Sequence, residues 1–167
     1  MKRLWAPWRM RYILSEKREG CFFCAIAKED KDRDNYILYR GRTGFIVLNL
    51  YPYNNGHLMI VPYKHVASTE DLDQGTLTEL MLLLNRSLRL LHRVMNPQGF
   101  NIGINLGKVA GAGVEGHVHI HVVPRWEGDT NFMPVLGETK VIPELLDETY
   151  EKLMAALEKE LQAHPDG

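Results

Sequence analysis

The chain has 167 residues, enough for one domain with a real core and too few for two ordinary ones. Apolar residues make up 45% and charged residues 25%, the profile of a soluble globular protein, and a formal net charge of −1 leaves no global positive field to recruit nucleic acid. No apolar run reaches the roughly eighteen residues that a membrane span needs. The basic, aromatic start MKRLWAPWRMRYILSEK lacks the apolar stretch and cleavage site of a signal peptide, so a cytoplasmic location is expected.

In chain order, residues 1–20 read as an extended arm, since Pro7 between Trp5 and Trp8 disfavours helix. Residues 21–28 suit a short helix. YILYR (36–40) and FIVLNL (45–50), parted by GRTG, read as a hairpin, and HLMIVPY (57–63) follows the turn NNG. Leu77, Leu80, Met81, Leu84, Leu88, Leu91 and Met95 recur at intervals of three and four, an amphipathic helix ended by Pro97 and Gly99. FNIGIN (100–105) alternates as a strand. The glycine-rich LGKVAGAGVEG then leads into HVHIHVV (117–123), a fifth strand, and Pro143 opens a last helix. Short turns between most strands predict a mainly antiparallel five-stranded sheet of α+β class, with helices on one face. The expected organisation is an arm over 1–20, a central domain over 21–130, and an extension over 131–167 whose helix belongs to the same globular unit.

Three of the seven histidines stand at every second position of HVHIHVV. Side chains alternate along a strand, so His117, His119 and His121 share one face while Val118, Ile120 and Val122 share the other. Satisfied core histidines are the plain reading. A His-x-His strand also presents two imidazoles to zinc. A neutral imidazole can instead attack phosphorus and divide one hard step into two, with neighbouring histidines holding its tautomer and protonating a leaving oxygen. The preceding loop favours phosphate. Glycines at 107, 111, 113 and 116 allow close approach of backbone N–H groups to an anion, with Lys108 nearby, although the loop lacks the end of a Walker A motif. The two cysteines, Cys21 and Cys24 in GCFFC, are half of a metal site, a redox pair or inert thiols. His92 reads as helix packing or surface, and His164 as part of a solvated tail.

His117-Val-His119-Ile-His121-Val-Val resembles the signature of the histidine triad family of nucleotide hydrolases and transferases. The order of segments over about 21–126 is similar too: Cys-x-x-Cys, a strand ending in Asn49, GHLMIVPYKH, a long helix, Asn105, the loop and the triad. The resemblance implies that His119 becomes nucleotidylated at the α-phosphate and that His121 lines the phosphate site and assists. It implies ribose contact at Asn49, a pocket role for His57, and phosphate or sugar contact at Asn105. Many members carry Gln-Ser/Thr where this loop has Gly113 and Val114, so backbone N–H groups of Ala112, Gly113 and Val114, or Lys108, would have to handle the leaving phosphate. The flanks LWAPWRMRYI and PRWEGDTNFMPVLGETKVIPE resemble the branch that contains bacterial diadenosine tetraphosphate phosphorylases. That likeness implies cleavage of dinucleoside polyphosphates, to ATP and ADP with inorganic phosphate as acceptor. It also implies a base- or phosphate-pocket role for Trp126 beside Arg125, and a homodimer or larger assembly joined across the long helix or an edge strand. Hydrolysis of dinucleoside polyphosphates or nucleoside phosphoramidates, or a nucleotide-binding regulatory role with incidental catalysis, are the alternatives. Zinc-bearing relatives imply a structural zinc on Cys21, Cys24, His65 and His117, and charge neutralisation favours Mg²⁺ bound with the substrate.

Overall fold

A computed structural model describes residues 20–130 and 141–163. Residues 1–19 of the expected arm, residues 131–140 of the expected extension and His164 lie outside the described residues.

The elements run α1 (Phe22–Lys28), α2 (Asp32–Asn35), β1 (Ile37–Arg40), β2 (Gly44–Leu48), β3 (Leu58–Pro62), α3 (Gln74–Met95), β4 (Gly99–Ile104), β5 (Ile120–Arg125) and α4 (Leu146–Ala163). Short 3₁₀ turns lie at Thr69–Asp71 and Lys108–Ala110. One five-stranded sheet has the order β1-β2-β3-β5-β4, antiparallel throughout, so the α+β expectation holds. Glu79 of α3 clamps the β1–β2 turn by accepting the backbone N–H of Arg42 (2.6 Å) and of Thr43 (2.7 Å) together with the Thr43 hydroxyl.

Period-two alternation splits the sheet into two apolar faces. Ile46, Leu48, Leu58, Ile60, Val118, Ile120 and Val122 pack under α3 and α4, whose Tyr150, Leu153 and Leu157 join the same cluster. Phe45, Val47, Met59 and Val61 face the other way and are covered by Phe23 and Ile26 of α1. The helices therefore cover both faces rather than one. Burying Phe23 and Ile26 contributes roughly 3–6 kcal/mol, which fastens α1 to the sheet by packing alone.

Three features differ from the sequence reading. β5 begins at Ile120, because His117, Val118 and His119 precede its ladder. The Val118 N–H bonds instead to the Val66 carbonyl, which preserves the alternation. The buried stripe of α3 runs through Leu80, Leu83, Leu84, Ser87, Leu90 and Leu91, whereas Leu77 and Met81 are 38% and 51% exposed. The last helix begins at Leu146, after Glu144 has used its carboxylate to accept from Asn55, Thr149 and Lys152.

Candidate active site

The triad histidines occupy the α1 face of the sheet. His117 is fully buried, and His119 and His121 are nearly so. The Phe23 ring packs edge-on against His117 at 5.4 Å and tilted against His119 at 4.9 Å, giving the site an apolar wall.

Hydrogen bonds assign each imidazole a tautomer. His119 donates Nδ1–H to the His117 carbonyl at 2.9 Å, which leaves the lone pair of Nε2 free. His57 accepts the Tyr53 backbone N–H at Nδ1 (3.1 Å), so its proton resides on Nε2 and is donated to His121 Nδ1 at 2.9 Å. His121 must then carry its proton on Nε2. The result is one bare imidazole nitrogen beside one N–H donor, with the two rings 4.7 Å apart. Burial, with adjacent histidines adding to it, pushes His57 down to about 3 and His121 to about 4, and burial lowers His119 as well. All three are neutral at pH 7, the state in which imidazole is a nucleophile.

His117 is turned to a different task. Its Nε2–H donates to the Pro62 carbonyl at 2.8 Å, leaving Nδ1 as the acceptor. That Nδ1 lies 3.2 Å from Cys21 Sγ, 3.5 Å from Cys24 Sγ and 3.3 Å from His65 Nδ1, and Cys24 Sγ is 3.4 Å from His65 Nδ1. Tetrahedral zinc with its usual bonds to sulfur and nitrogen places ligand atoms about 3.3–3.8 Å apart. The four residues fit such an ion, and the Pro62 carbonyl supplies the outer hydrogen bond that orients a ligating imidazole. Among the described residues this is the one cluster of three or more potential ligands.

Asn49, also buried, accepts the Tyr51 N–H at Oδ1 (2.9 Å) and sets its amide nitrogen 3.3 Å from His57 Nδ1. Asn105 is half-buried, one step beyond the Ile104–Ile120 pair. Lys108 and Gly113 are exposed, and Val114 packs toward the Phe23 cluster. Several loop N–H groups already have acceptors, among them that of Ala112, bonded to Gly107 O (3.3 Å), and that of Lys108, bonded to the Glu115 carboxylate (3.1 Å). Trp126 donates its indole N–H to the Met95 carbonyl at the end of α3 (3.3 Å). Its neighbour Arg125 is paired with Asp129 and Asn101.

Sequence reasoning passed over Tyr53 and the Pro62 carbonyl. A main-chain donor and a main-chain acceptor leave no trace in residue type, and the Tyr53 ring, 4.6 Å from His57, reads in sequence as a loop aromatic.

The HIT domain family matches residues 30–128. The chain is 43% identical to an AP-4-A phosphorylase of Mycobacterium tuberculosis, an alignment that covers 89% of this chain and 80% of that one. It is 34% identical to a bis(5'-adenosyl)-triphosphatase of Dictyostelium discoideum over 58% of this chain and 64% of that one. The solved structure of a zinc-bound histidine triad family protein from Mycobacterium smegmatis superposes with a TM-score of 0.69 at 29% identity, covering 87% of this chain and 98% of that one. Matched by the family's domain over more than half its length, the chain belongs to the HIT domain family.

Proposed function

We propose that this chain cleaves dinucleoside polyphosphates by nucleotidyl transfer through His119, with inorganic phosphate as the acceptor. The observation that carries the reading is the tautomer pair. His119 Nε2 is bare and neutral, and His121 Nε2 bears a proton beside it. The Nε2 lone pair attacks the α-phosphorus, the bond to the bridging oxygen breaks, and the departing oxyanion accepts a hydrogen bond from His121. Attack by phosphate on the nucleotidyl-histidine then releases a nucleoside diphosphate and restores the imidazole. For diadenosine tetraphosphate the products are ATP and ADP. Asn49 and Asn105 are the residues assigned to ribose and phosphate, and Lys108 with the Gly113 and Val114 N–H groups to the leaving chain. The 43% identity to an AP-4-A phosphorylase favours phosphorolysis over hydrolysis, for which the likeness to a bis(5'-adenosyl)-triphosphatase speaks.

Cys21, Cys24, His65 and His117 would hold a structural zinc, tying the start of α1 to the catalytic segment. Four protein ligands leave no position open for substrate. Mg²⁺, if used, would arrive with the polyphosphate. The reading includes a homodimer joined at the edge strand β4, which exposes Ile102 and Ile104, and a cytoplasmic location. Among the described residues no helix is long and apolar enough to cross a membrane.

Incubation with diadenosine tetraphosphate, with and without inorganic phosphate, separates the readings. ATP plus ADP formed only with phosphate is the expected outcome. ATP plus AMP in its absence would replace phosphorolysis by hydrolysis.

A further inference from the structure

We propose that a recess at the far end of β5 is a second nucleoside subsite, and that a dinucleoside tetraphosphate binds bent into a U, both nucleosides at one end of the sheet. This rests on the substrate class proposed above.

A cavity of about 280 Å³ is lined by Tyr53, Asn54, Asn101, Val123, Arg125 and Thr130. It opens on the histidine face. Gly103 pairs with His121 and Asn101 with Val123, and directly paired residues project to the same side of a sheet. Among the described residues a Cβ on Gly103 would meet nothing within 4 Å, which leaves them clear of the path from His121 over Gly103 into the recess.

The chemistry of the walls suits a nucleoside and not a phosphate. Arg125 supplies the charge, but Asp129 already neutralises it through contacts of 2.6 and 2.8 Å, and Asn101 Oδ1 accepts its Nη1 at 2.6 Å. Asn54, buried, is fixed by bonds to the Pro124 carbonyl (3.0 Å) and Asp129 (2.8 Å). What remains is a rigid polar floor beside an exposed aromatic. The Tyr53 ring lies 5.7 Å from His121, inclined at 25°, and offers a face to a base.

Position supports the bent pose. Leu48 pairs with Leu58 and Leu58 with Val122, so the next row across the sheet is Asn49, His57, Val123 and Asn101. Asn49, assigned to the first ribose, and the recess thus flank the Tyr53–His57–His121 column. They are three strand spacings apart, about 14 Å, and His119 lies about 13 Å further along β5. The phosphate chain must run out to His119 and return over Gly103. Four phosphates make that turn more easily than three, so the recess would confer preference for the longer substrate.

The test uses the His119→Asn protein, which binds without turning over. Its affinity for diadenosine tetraphosphate is measured by calorimetry against adenosine 5'-tetraphosphate, which lacks the second nucleoside. The dinucleoside should bind about ten-fold more tightly, the scale of one base stacked on an aromatic. Adding Val123→Leu or Val123→Phe, which fill the recess to different depths, should erase that advantage without weakening the mononucleoside ligand. Equal affinity of the two ligands, or variants that weaken both alike, would overturn the second subsite while leaving the substrate class standing. Binding of neither ligand would overturn both.

Discussion

Replacing His57 by Leu isolates the relay that sets the tautomer of His121. The side chain is fully buried and neutral at any working pH, so the substitution removes no charge. It removes the acceptor for the Tyr53 N–H and the donor to His121 Nδ1, contacts of 3.1 and 2.9 Å. A buried polar group left without its partner costs about 1–3 kcal/mol. If His121 instead moves its proton to Nδ1, the donor facing the leaving oxygen is gone. Either way kcat for phosphorolysis of diadenosine tetraphosphate should fall about ten- to hundred-fold, with KM little changed, because the group acts on orientation rather than on binding. His57→Gln keeps an N–H that can reach His121 and should recover much of the loss. Thermal melting of both variants separates this effect from unfolding. If the Leu and Gln variants both stay within two-fold of the parent kcat while folded, the relay has no catalytic part.

Three further outcomes follow from the same structure. Chelation of zinc, or Cys24→Ser, should lower Tm by about 10 °C, since a ligand present at a thousand times its Kd stabilises by about 4 kcal/mol and one kcal/mol is worth roughly 2–4 °C in a chain of this size. The buried Phe23 and Ile26 should keep the protein folded meanwhile, and a metal-free chain with unchanged Tm would discard the ion as a brace. Stability should also fall in acid. His57 and His121 titrate near 3 and 4 in the fold but near 6.5 when unfolded, so the unfolded chain binds more protons below about pH 6.5. Their contribution is whole at pH 7 and drains away as pH drops through 5 toward 4. Urea midpoints that do not move between pH 7 and 5 would contradict these assignments. Finally, Arg86 and Glu160 form a buried pair at 3.5 Å, and one Glu160 carboxylate oxygen has no hydrogen-bond partner. Arg86→Ala leaves that carboxylate only the half-exposed Arg89, 3.6 Å away, and should cost about 3 kcal/mol in urea unfolding, whereas Arg86→Met with Glu160→Met should recover most of it; equal loss in both would argue against a charge effect.

Much of the site was legible because its chemistry is written in residue type. Alternation of His and branched residues placed the triad on one face and Val118, Ile120 and Val122 on the other, and that division holds even though β5 starts three residues late. Cys-x-x-Cys and the two distant histidines pointed to a cluster that the fold assembles to within 4.8 Å. What sequence could not supply was partnership through the backbone. The choice of nitrogen on His119 depends on the His117 carbonyl, and that on His121 depends on a Tyr53 N–H two bonds away. The apolar stripe of α3 was misjudged because leucines lie around much of that helix, and periodicity alone does not distinguish the face on the sheet from Leu77, Met81 and Leu82, which are exposed. The covering of the second sheet face by α1 was likewise hidden in seven residues, too few to show a period.

The nucleophile itself is tested most directly by trapping. The protein is mixed with diadenosine tetraphosphate without inorganic phosphate, quenched within the first turnover, and its mass and modified peptide are read. An AMP adduct on His119 that phosphate discharges as ADP, and that His119→Asn abolishes, is the predicted result. Turnover without any adduct, or an adduct that persists in His119→Asn, would contradict nucleotidyl transfer through this histidine.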